Sequence, residues 1–400
     1  MQRRIGTTVR GIRAPIIRQG DDIASIVTKV ITDIWKYDDI IPKDKDIVAI
    51  TESVVARAQG NYARIDAIAK DVYEKFGEET LGVIFPILSR NRFAIQLKGI
   101  SKGVARGSKE LILMLSYPSD EVGNQLFPEE ILDNSDISPW EDMLTLEQYR
   151  SVFGYKKHPF TGVDYVSYYE DIITGQGSKS QIIFSNSPKT ILSYSDSVLS
   201  CDIHTRNRTK AMLQKSGAKT VYGLDEILTE SIEGSGYNPK YGLLGSNKAS
   251  EDTVKLFPRD CDALVAQIQK DLNHASGKQI EVLVYGDGAF KDPNGKIWEL
   301  ADPVVSPGYT SGLEGTPNEL KIKYLADSKF AHLSGEELID AITKDILNKP
   351  RNLKESMDSQ GTTPRRLTDL IGSLCDLTSG SGDKGTPIVY IQGYFDNYSE

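Results

Sequence analysis

Apolar residues return along this chain with the period of a helix in several long segments. Between Ile23 and Ile34 they recur at spacings of three and four, directly after Asp21 and Asp22, where a helix start favours negative charge. Similar patterns predict helices at residues 62–76, 205–216, 225–232, 261–272, 335–347 and 363–377. The chain is therefore rich in predicted helices.

Short apolar runs lie between these helices and predict strands. They cover residues 47–51, 83–88, 93–97, 111–115, 181–185, 280–285 and 387–392. Strands that alternate with helices indicate an α/β fold with mixed sheets. Because 400 residues exceed one ordinary core, we expect two lobes. Residues 151–256, rich in Tyr, Ser and Gly, are the best candidate for an inserted lobe.

Composition and charge argue against several classes of partner and site. The net charge of −9 gives a surface that repels phosphate backbones, so we expect no nucleic-acid partner, although backbone amides can still bind a local phosphate. Three scattered cysteines fit a reducing compartment, and four isolated histidines argue against a zinc site. Without a secretory h-region or a run of about 18 apolar residues, we expect a cytoplasmic protein with no membrane span.

A glycine-rich loop near the C-terminus is the first candidate for chemistry. It contains Ser379, Gly380, Ser381, Gly382, Asp383, Lys384 and Gly385. Exposed backbone N–H groups in such a loop can cradle a phosphate, while Asp383 can hold a metal and Lys384 can offset phosphate charge. The alternative is an ordinary connection between a helix and a strand.

Asp287 follows the strand at 280–285 and lies between two glycines. Ligands of α/β proteins gather where strands end, and a carboxylate there suits Mg²⁺ or Mn²⁺. We therefore favour a functional role for Asp287. Asp292 begins an Asp-Pro-Asn-Gly sequence, for which we favour an ordinary β-turn.

Four blocks of the sequence resemble the factor-420 γ-glutamyl ligases, which add glutamate to a deazaflavin coenzyme. Residues 11–22 contain Pro-Ile-Ile before Gly-Asp-Asp, where the family has Leu-Pro-Leu-Ile before Gly-Asp-Asp. Residues 46–60 contain a segment similar to the family's Val-Ile-Ser-Lys-Ala-Glu-Gly. Residues 282–295 and 370–393 resemble its strand with Asp-Thr-Asn-Gly and its glycine-rich loop with a Pro-led strand.

The resemblance implies roles for particular residues and a division of the chain. It places the nucleotide at Ala14, Pro15, Ile16, Ile17, Glu52, Ser53 and the glycine-rich loop, a phosphate clamp at Arg57, and a metal at Asp287. Residues 126–278 have no counterpart, so we predict a ligase-like core formed by residues 1–125 and 279–400, with 126–278 as an insertion or second lobe.

Several positions depart from the family's pattern. Ser101 and Gly288 stand where the family has metal ligands, and Asp383 is the one carboxylate of the last loop. Glu52 replaces a hydroxyl residue and can supply a carboxylate. The resemblance thus predicts a site with one metal or a rebuilt metal set, held by Asp287, Asp383 and Glu52.

The predicted function is a ligase that joins L-glutamate to the carboxylate of a small acceptor through an acyl phosphate. The resemblance implies GTP or ATP as co-substrate, Mg²⁺ or Mn²⁺, and a homodimer. The acceptor is either the deazaflavin coenzyme or a folate-like pterin, and Tyr165, Tyr168, Tyr169 and Tyr194 are candidates to stack on it. The alternatives are a related amide-forming or phosphoryl-transfer enzyme, and a nucleotide- or metabolite-binding protein without catalysis.

Overall fold

A computed structural model describes residues 4–107, 110–158, 160–288, 290–291, 298–299, 301–353, 356–359, 365–379 and 382–399. Gly380, Ser381 and Asp292 lie outside these residues. The helices are α1 (Ile23–Tyr37), α2 (Glu52–Ala58), α3 (Ile65–Phe76), α4 (Phe93–Arg106), α5 (Glu129–Asp133), α6 (Leu146–Phe153), α7 (Tyr165–Gly175), α8 (Arg206–Lys215), α9 (Cys261–Ser276), α10 (Ile322–Asp327), α11 (Gly335–Leu347) and α12 (Leu367–Thr378). None of the helices in these described ranges has the length and apolar character needed to cross a membrane.

The strands form two larger sheets, a small sheet and a two-stranded ribbon. Their bounds are β1 (Thr8–Ile12), β2 (Ile47–Thr51), β3 (Tyr62–Arg64), β4 (Leu81–Ile84), β5 (Glu110–Leu115), β6 (Leu144–Thr145), β7 (Lys179–Phe184), β8 (Ser197–Ser200), β9 (Thr220–Gly223), β10 (Asn247–Ser250), β11 (Thr253–Lys255), β12 (Glu281–Tyr285), β13 (Phe290–Lys291), β14 (Trp298–Glu299), β15 (Gly308–Tyr309) and β16 (Ile388–Gln392). Short 3-10 turns lie at Pro188–Ser193, Leu224–Glu226, Ser311–Leu313, Met357–Ser359 and Gly382–Lys384. The predicted α/β fold with mixed sheets is confirmed.

The five-stranded sheet has the order β1-β16-β2-β12-β15. Only β2 and β12 run parallel among its described neighbours, with Thr51 opposite Tyr285. Alternate residues of β2 enter different cores, since Val48 packs with α1 and α9 while Ala49 packs with α12. Burial on both faces explains why these strands are continuous apolar runs in the sequence.

The six-stranded sheet has the order β6-β7-β5-β4-β8-β9. All described pairs from β7 to β9 are parallel, and β6 is an antiparallel edge strand. Strands on both sides of residue 125 therefore belong to this one sheet, because β4 and β5 pair with β7 and β8. The limits of the predicted domains stay a prediction. Residue 125 lies between strands of the same sheet, so the chain does not pass from one sheet to the other at this position.

Residues 93–97 were predicted as a strand, and this prediction is wrong because they begin α4. The glycines that interrupt the segment serve helix packing. A Cβ on Gly99 would lie 2.8 Å from Cβ of Ile68, and one on Gly103 would lie 2.7 Å from the carbonyl oxygen of Ala69. Helices α3 and α4 therefore pack closely through these two glycines. The helix predicted at 225–232 is also wrong, since only the 3-10 turn Leu224–Glu226 forms there.

Candidate active site

Two parallel strands bring the first predicted site residues together. Strands β2 and β12 end side by side, with Thr51 paired to Tyr285. Glu52 follows β2 directly as the first residue of α2, and Asp287 follows β12 after Gly286. Parallel neighbours end at the same edge of a sheet, so both carboxylates lie at one edge of the five-stranded sheet.

The other two predicted segments reach the same edge from antiparallel strands. Ile12 at the end of β1 pairs with Ile388 at the start of β16, and Ile388 pairs with Ile50. The N–H of Ala14 donates to the carbonyl of Gly385 at 3.2 Å. The structure thus brings all four sequence blocks to one sheet edge, which we call the charged edge.

The predicted nucleotide residues differ in exposure. Ala14 is half-buried, Pro15 and Ile16 are exposed, and Ile17 is buried in the core. Ser53 and Arg57 lie four residues apart on the exposed face of α2. In the last loop, Gly382, Asp383, Lys384 and Gly385 are exposed, and Ser379 ends α12. Among the described residues no ion pair joins Arg57 to Asp287, and these assignments stay predictions.

Arg92 is the centre of the charged edge. It precedes α4, so it belongs to the half of the molecule around the six-stranded sheet, and it reaches the five-stranded sheet with its guanidinium. Nη2 donates to Asp287 at 2.6 Å, and Nη1 donates to Asp302 at 2.8 Å. The Asp302 side chain is 1% exposed, whereas that of Asp287 is 32% exposed. Arg92 therefore bridges one deeply buried carboxylate and one accessible carboxylate with a single positive charge.

Glycines on both sides of Asp287 permit this arrangement. A Cβ on Gly286 would collide with Oδ2 of Asp302, and a Cβ on Gly288 would lie 2.7 Å from Cα of Ser373. The backbone N–H of Asp287 donates to Asp302 at 2.8 Å. The N–H of Gly288 donates to Asp376, on α12, at 2.9 Å. The Gly-Asp-Gly sequence is thus needed for close packing at the strand end.

A second cation lies beside Glu52. Nζ of Lys255, on β11, is 3.4 Å from Oε1 of Glu52 and donates to the hydroxyl of Ser53 at 2.7 Å. Oε2 of Glu52 is buried and has no hydrogen-bond partner among the residues that the structure describes. A buried oxygen without a partner costs free energy, so Glu52 is a candidate for contact with a ligand or a transferred proton.

Burial and mutual repulsion raise the pKa of two carboxyl groups at the charged edge. Burial raises the pKa of Asp287 to about 7, with a further contribution from Asp302. Burial raises the pKa of Glu52 to about 7 against the opposing charge of Lys255. Although burial opposes it, the carboxylates of Asp302 and Asp287 raise the pKa of Arg92. The guanidinium is therefore charged, and the two carboxyl groups titrate near neutral pH.

These carboxylates have the oxygen donors that Mg²⁺ and Mn²⁺ prefer. Arg92, however, already binds one oxygen each of Asp287 and Asp302. Within the described part of the chain, no group of three or more His, Cys, Asp or Glu side chains is placed to hold a metal ion. In this arrangement the described residues do not fit a divalent cation, and the predicted metal ligands stay a prediction.

Arg92, Lys255, Asp302 and Asp376 were missed as site residues by sequence reasoning. For Arg92 a signal existed, because the segment 89–92 is basic and interrupts an apolar stretch. The tyrosine candidates for stacking are corrected in part: Tyr165 and Tyr169 are buried in the core of the six-stranded sheet. Tyr168 and Tyr194 are half-buried.

The comparisons with known proteins agree with the convergence of the four blocks. The model of the F420-0:gamma-glutamyl ligase family matches residues 11–393. This chain belongs to that family. No curated protein matches the chain. The matched range contains residues 126–278, and the division of the chain into a ligase-like core and an insertion stays a prediction.

Proposed function

We propose that this protein joins L-glutamate to the carboxylate of a small-molecule acceptor, with a nucleoside triphosphate as the source of free energy. The observation that carries the proposal is the charged edge itself. There, segments from four separate blocks meet two partly buried cations and the carboxylates of Glu52 and Asp287. Membership of a γ-glutamyl ligase family supports the same reaction class.

In the first step the acceptor carboxylate attacks the γ-phosphorus. A bond forms between the carboxylate oxygen and phosphorus, and the bond to the nucleoside diphosphate breaks. The product is an acyl phosphate. Arg92 and Lys255 offset the negative charge that the reacting carboxylate and phosphoryl group bring to the edge. No step here is routed through a metal; Mg²⁺ or Mn²⁺ remains a prediction from the resemblance.

In the second step the amine of glutamate attacks the acyl carbon, and inorganic phosphate leaves. The amine must lose a proton as the amide forms. Asp287 is accessible enough to accept it, and its pKa of about 7 suits a general base near neutral pH. Glu52 is the alternative acceptor, because it has a similar pKa and an unpartnered oxygen.

We place the triphosphate along the exposed segments of the charged edge. Ala14 and Gly385 are joined there by a backbone hydrogen bond, and Ser53 and Arg57 lie on the exposed face of α2. A cleft of about 1090 Å³ next to the last loop is lined by the cations Arg10, Arg13, Lys43 and Lys384, beside Asp38 and Asp39. GTP is the proposed nucleotide, with ATP as the alternative, and the proposed assembly is a homodimer.

The direct test is mass spectrometry of acceptors incubated with glutamate and GTP or ATP. We expect a mass increase of one glutamyl group on the glutamate-free deazaflavin coenzyme or on a reduced folate. Nucleotide hydrolysis should require both glutamate and acceptor, and the Asp287→Asn variant should lose it. Nucleotide hydrolysis that does not depend on glutamate would instead indicate a different phosphoryl-transfer enzyme. Sedimentation as a monomer at micromolar concentrations would contradict the homodimer.

A further inference from the structure

The six-stranded sheet changes its winding direction between β4 and β8. Along the chain, the parallel strands appear as β4, β5, β7, β8 and β9, but in space their order is β7-β5-β4-β8-β9. The chain therefore builds outward from β4 in one direction and then returns to add β8 on the other side. In open α/β sheets, ligands bind outside the carboxyl ends of the strands at such a switch point.

A crevice of about 370 Å³ lies at this position. It is lined by residues that follow four parallel strands: Phe85 after β4, residues 116–121 after β5, Asn186 after β7, and Asp202 with Thr205 after β8. Pro139 and Trp140 complete its wall. We call it the switch-point crevice, and its volume falls in the range of small-molecule sites.

Two aromatic side chains give the switch-point crevice flat apolar surfaces. Trp140 is 86% exposed, so the faces of its indole ring are accessible to a ligand. Phe85 has a left-handed backbone with φ of 55°, a conformation that non-glycine residues rarely adopt. Strain of this kind concentrates at ligand sites. Together with Pro118 and Pro139, these surfaces suit a planar ring.

The polar groups of the crevice are acidic and held in place. Asp202 accepts hydrogen bonds from the hydroxyls of Thr205 and Thr209, each at 2.7 Å. Glu121 accepts from the N–H groups of residues 203–205, and Asp120 from the N–H of Leu88. This concentration of carboxylates disfavours a triphosphate but can accept hydrogen bonds from N–H groups at the edge of a neutral heterocycle.

One segment links this crevice to the charged edge. Residues 85–92 begin in the crevice at Phe85 and end at Arg92, so the two sites are at most about 25 Å apart. The hydroxyl of Tyr169 fixes the middle of the segment, since it donates to the carbonyl of Ile87 at 2.9 Å and accepts from the N–H of Ser89 at 2.8 Å. A ligand in the crevice is thus held at a fixed position relative to Arg92.

We infer that the switch-point crevice binds the planar heterocycle of the acceptor, while the acceptor's carboxylate extends to Arg92. The inference rests on the proposed ligase function. A nucleotide base is also a planar heterocycle, but the candidate nucleotide residues Ala14, Ser53 and Gly385 lie at the other sheet.

The test compares Trp140→Ala with Phe160→Ala, which removes another exposed aromatic residue, 59% exposed, that does not line the crevice. Binding of the glutamate-free deazaflavin coenzyme and of a reduced folate is followed by isothermal titration calorimetry, which does not need Trp140 as a reporter, without any turnover. Turnover then gives the KM of the acceptor and of GTP. Loss of one stacking surface should raise the acceptor's Kd and KM about tenfold. Trp140→Phe should restore most of the affinity.

The expected result is a raised acceptor KM in Trp140→Ala, an unchanged GTP KM, and wild-type behaviour of Phe160→Ala. An unchanged acceptor KM, or a change in the GTP KM alone, would overturn the inference while the ligase function stands. Binding that is weakened in Trp140→Ala, without glutamate transfer to either probe, would support the crevice and count against the proposed function. Failure of both probes to bind the wild-type protein would overturn the crevice assignment.

Discussion

The charged edge and the switch-point crevice lie at equivalent places, where parallel strands end. The surroundings of their carboxylates differ. At the charged edge, an oxygen of Glu52 is buried without a partner, and the pKa values of Glu52 and Asp287 are raised to about 7. In the crevice, Asp120, Glu121 and Asp202 accept hydrogen bonds from several backbone or hydroxyl groups, and burial raises the pKa of Asp120 to about 6. Under the two proposals, the partly unpaired carboxylates of the charged edge serve proton and phosphoryl transfer, whereas the hydrogen-bonded carboxylates of the crevice serve recognition.

The comparison also shows that the charged edge is built from both sheets. The charged edge has carboxylates from the five-stranded sheet, but Arg92 comes from the segment that leaves β4 of the six-stranded sheet. Neither sheet forms the site alone. Under the two proposals, residues 85–92 connect recognition with reaction, and variants can separate the two.

The largest effect is expected for Arg92→Ala. Without its guanidinium, Asp302 is a buried charge with no cation, a loss that costs about 3–5 kcal/mol of unfolding free energy. Glutamate transfer should fall at least about 100-fold in the fraction that remains folded. Urea unfolding and turnover measure both effects. Arg92→Lys keeps the charge but not the two-pronged geometry, and should recover only part of the rate.

Arg150→Ala is the matched control, because Arg150 pairs with Asp164 at 2.9 Å with similarly low exposure, away from the charged edge. It should also lower the unfolding free energy but leave the rate per folded molecule unchanged. Equal loss of rate in both variants would mean that Arg92 acts through stability alone.

Asp287→Asn is expected to reduce turnover about 100-fold with little change in Tm, since its side chain is partly exposed. The contrasting change is Asp302→Asn, which alters a fully buried partner of Arg92 and should lower Tm. Thermal unfolding and single-turnover rates distinguish the two. Full activity in Asp287→Asn would remove this residue from the site.

Gly288→Ala should reduce turnover about tenfold, because its Cβ would lie 2.7 Å from Cα of Ser373 and displace the Asp287 segment. Gly175→Ala, at the end of α7, is the control, since no atom lies within 4 Å of the added Cβ. That variant should keep the wild-type rate. Equal rates in the two variants would show that close packing at Gly288 does not position Asp287.

The smallest effect concerns the pH dependence of stability. The pKa of Glu52 is about 7 in the folded protein and 4.5 ordinarily. Between these values the folded state binds more protons than the unfolded state, so the unfolding free energy falls as pH rises through this window. Glu52→Gln removes this contribution and should flatten the dependence of Tm on pH between 5 and 8, measured with a chelator present. A steeper dependence in the variant would contradict the raised pKa.

The sequence predicted the strands that end at the charged edge better than it predicted the elements around them. The runs at 47–51, 280–285 and 387–392 have both faces buried, so their apolar character is unmistakable. The prediction of a strand at residues 93–97 was wrong, because a short apolar-rich segment followed by glycines is typical of a strand and a loop. Only the close approach of Gly99 and Gly103 to α3 shows that these glycines belong inside a helix.

Arg92 and Lys255 could not be predicted as partners of Asp287 and Glu52. They lie 195 and 203 residues away from these carboxylates in the chain. Their pairing depends on how the two sheets meet, which local patterns do not encode. The basic segment 89–92 indicated only that charge interrupts an apolar region.

The central claim is that the acceptor carboxylate is activated as an acyl phosphate at the charged edge. The most direct measurement uses an acceptor whose carboxylate carries oxygen-18, turned over with glutamate and nucleoside triphosphate. The mechanism transfers one labelled oxygen to each inorganic phosphate released, and phosphate from the wild-type protein should contain it. Release of unlabelled phosphate together with formation of the glutamyl product would contradict the acyl phosphate.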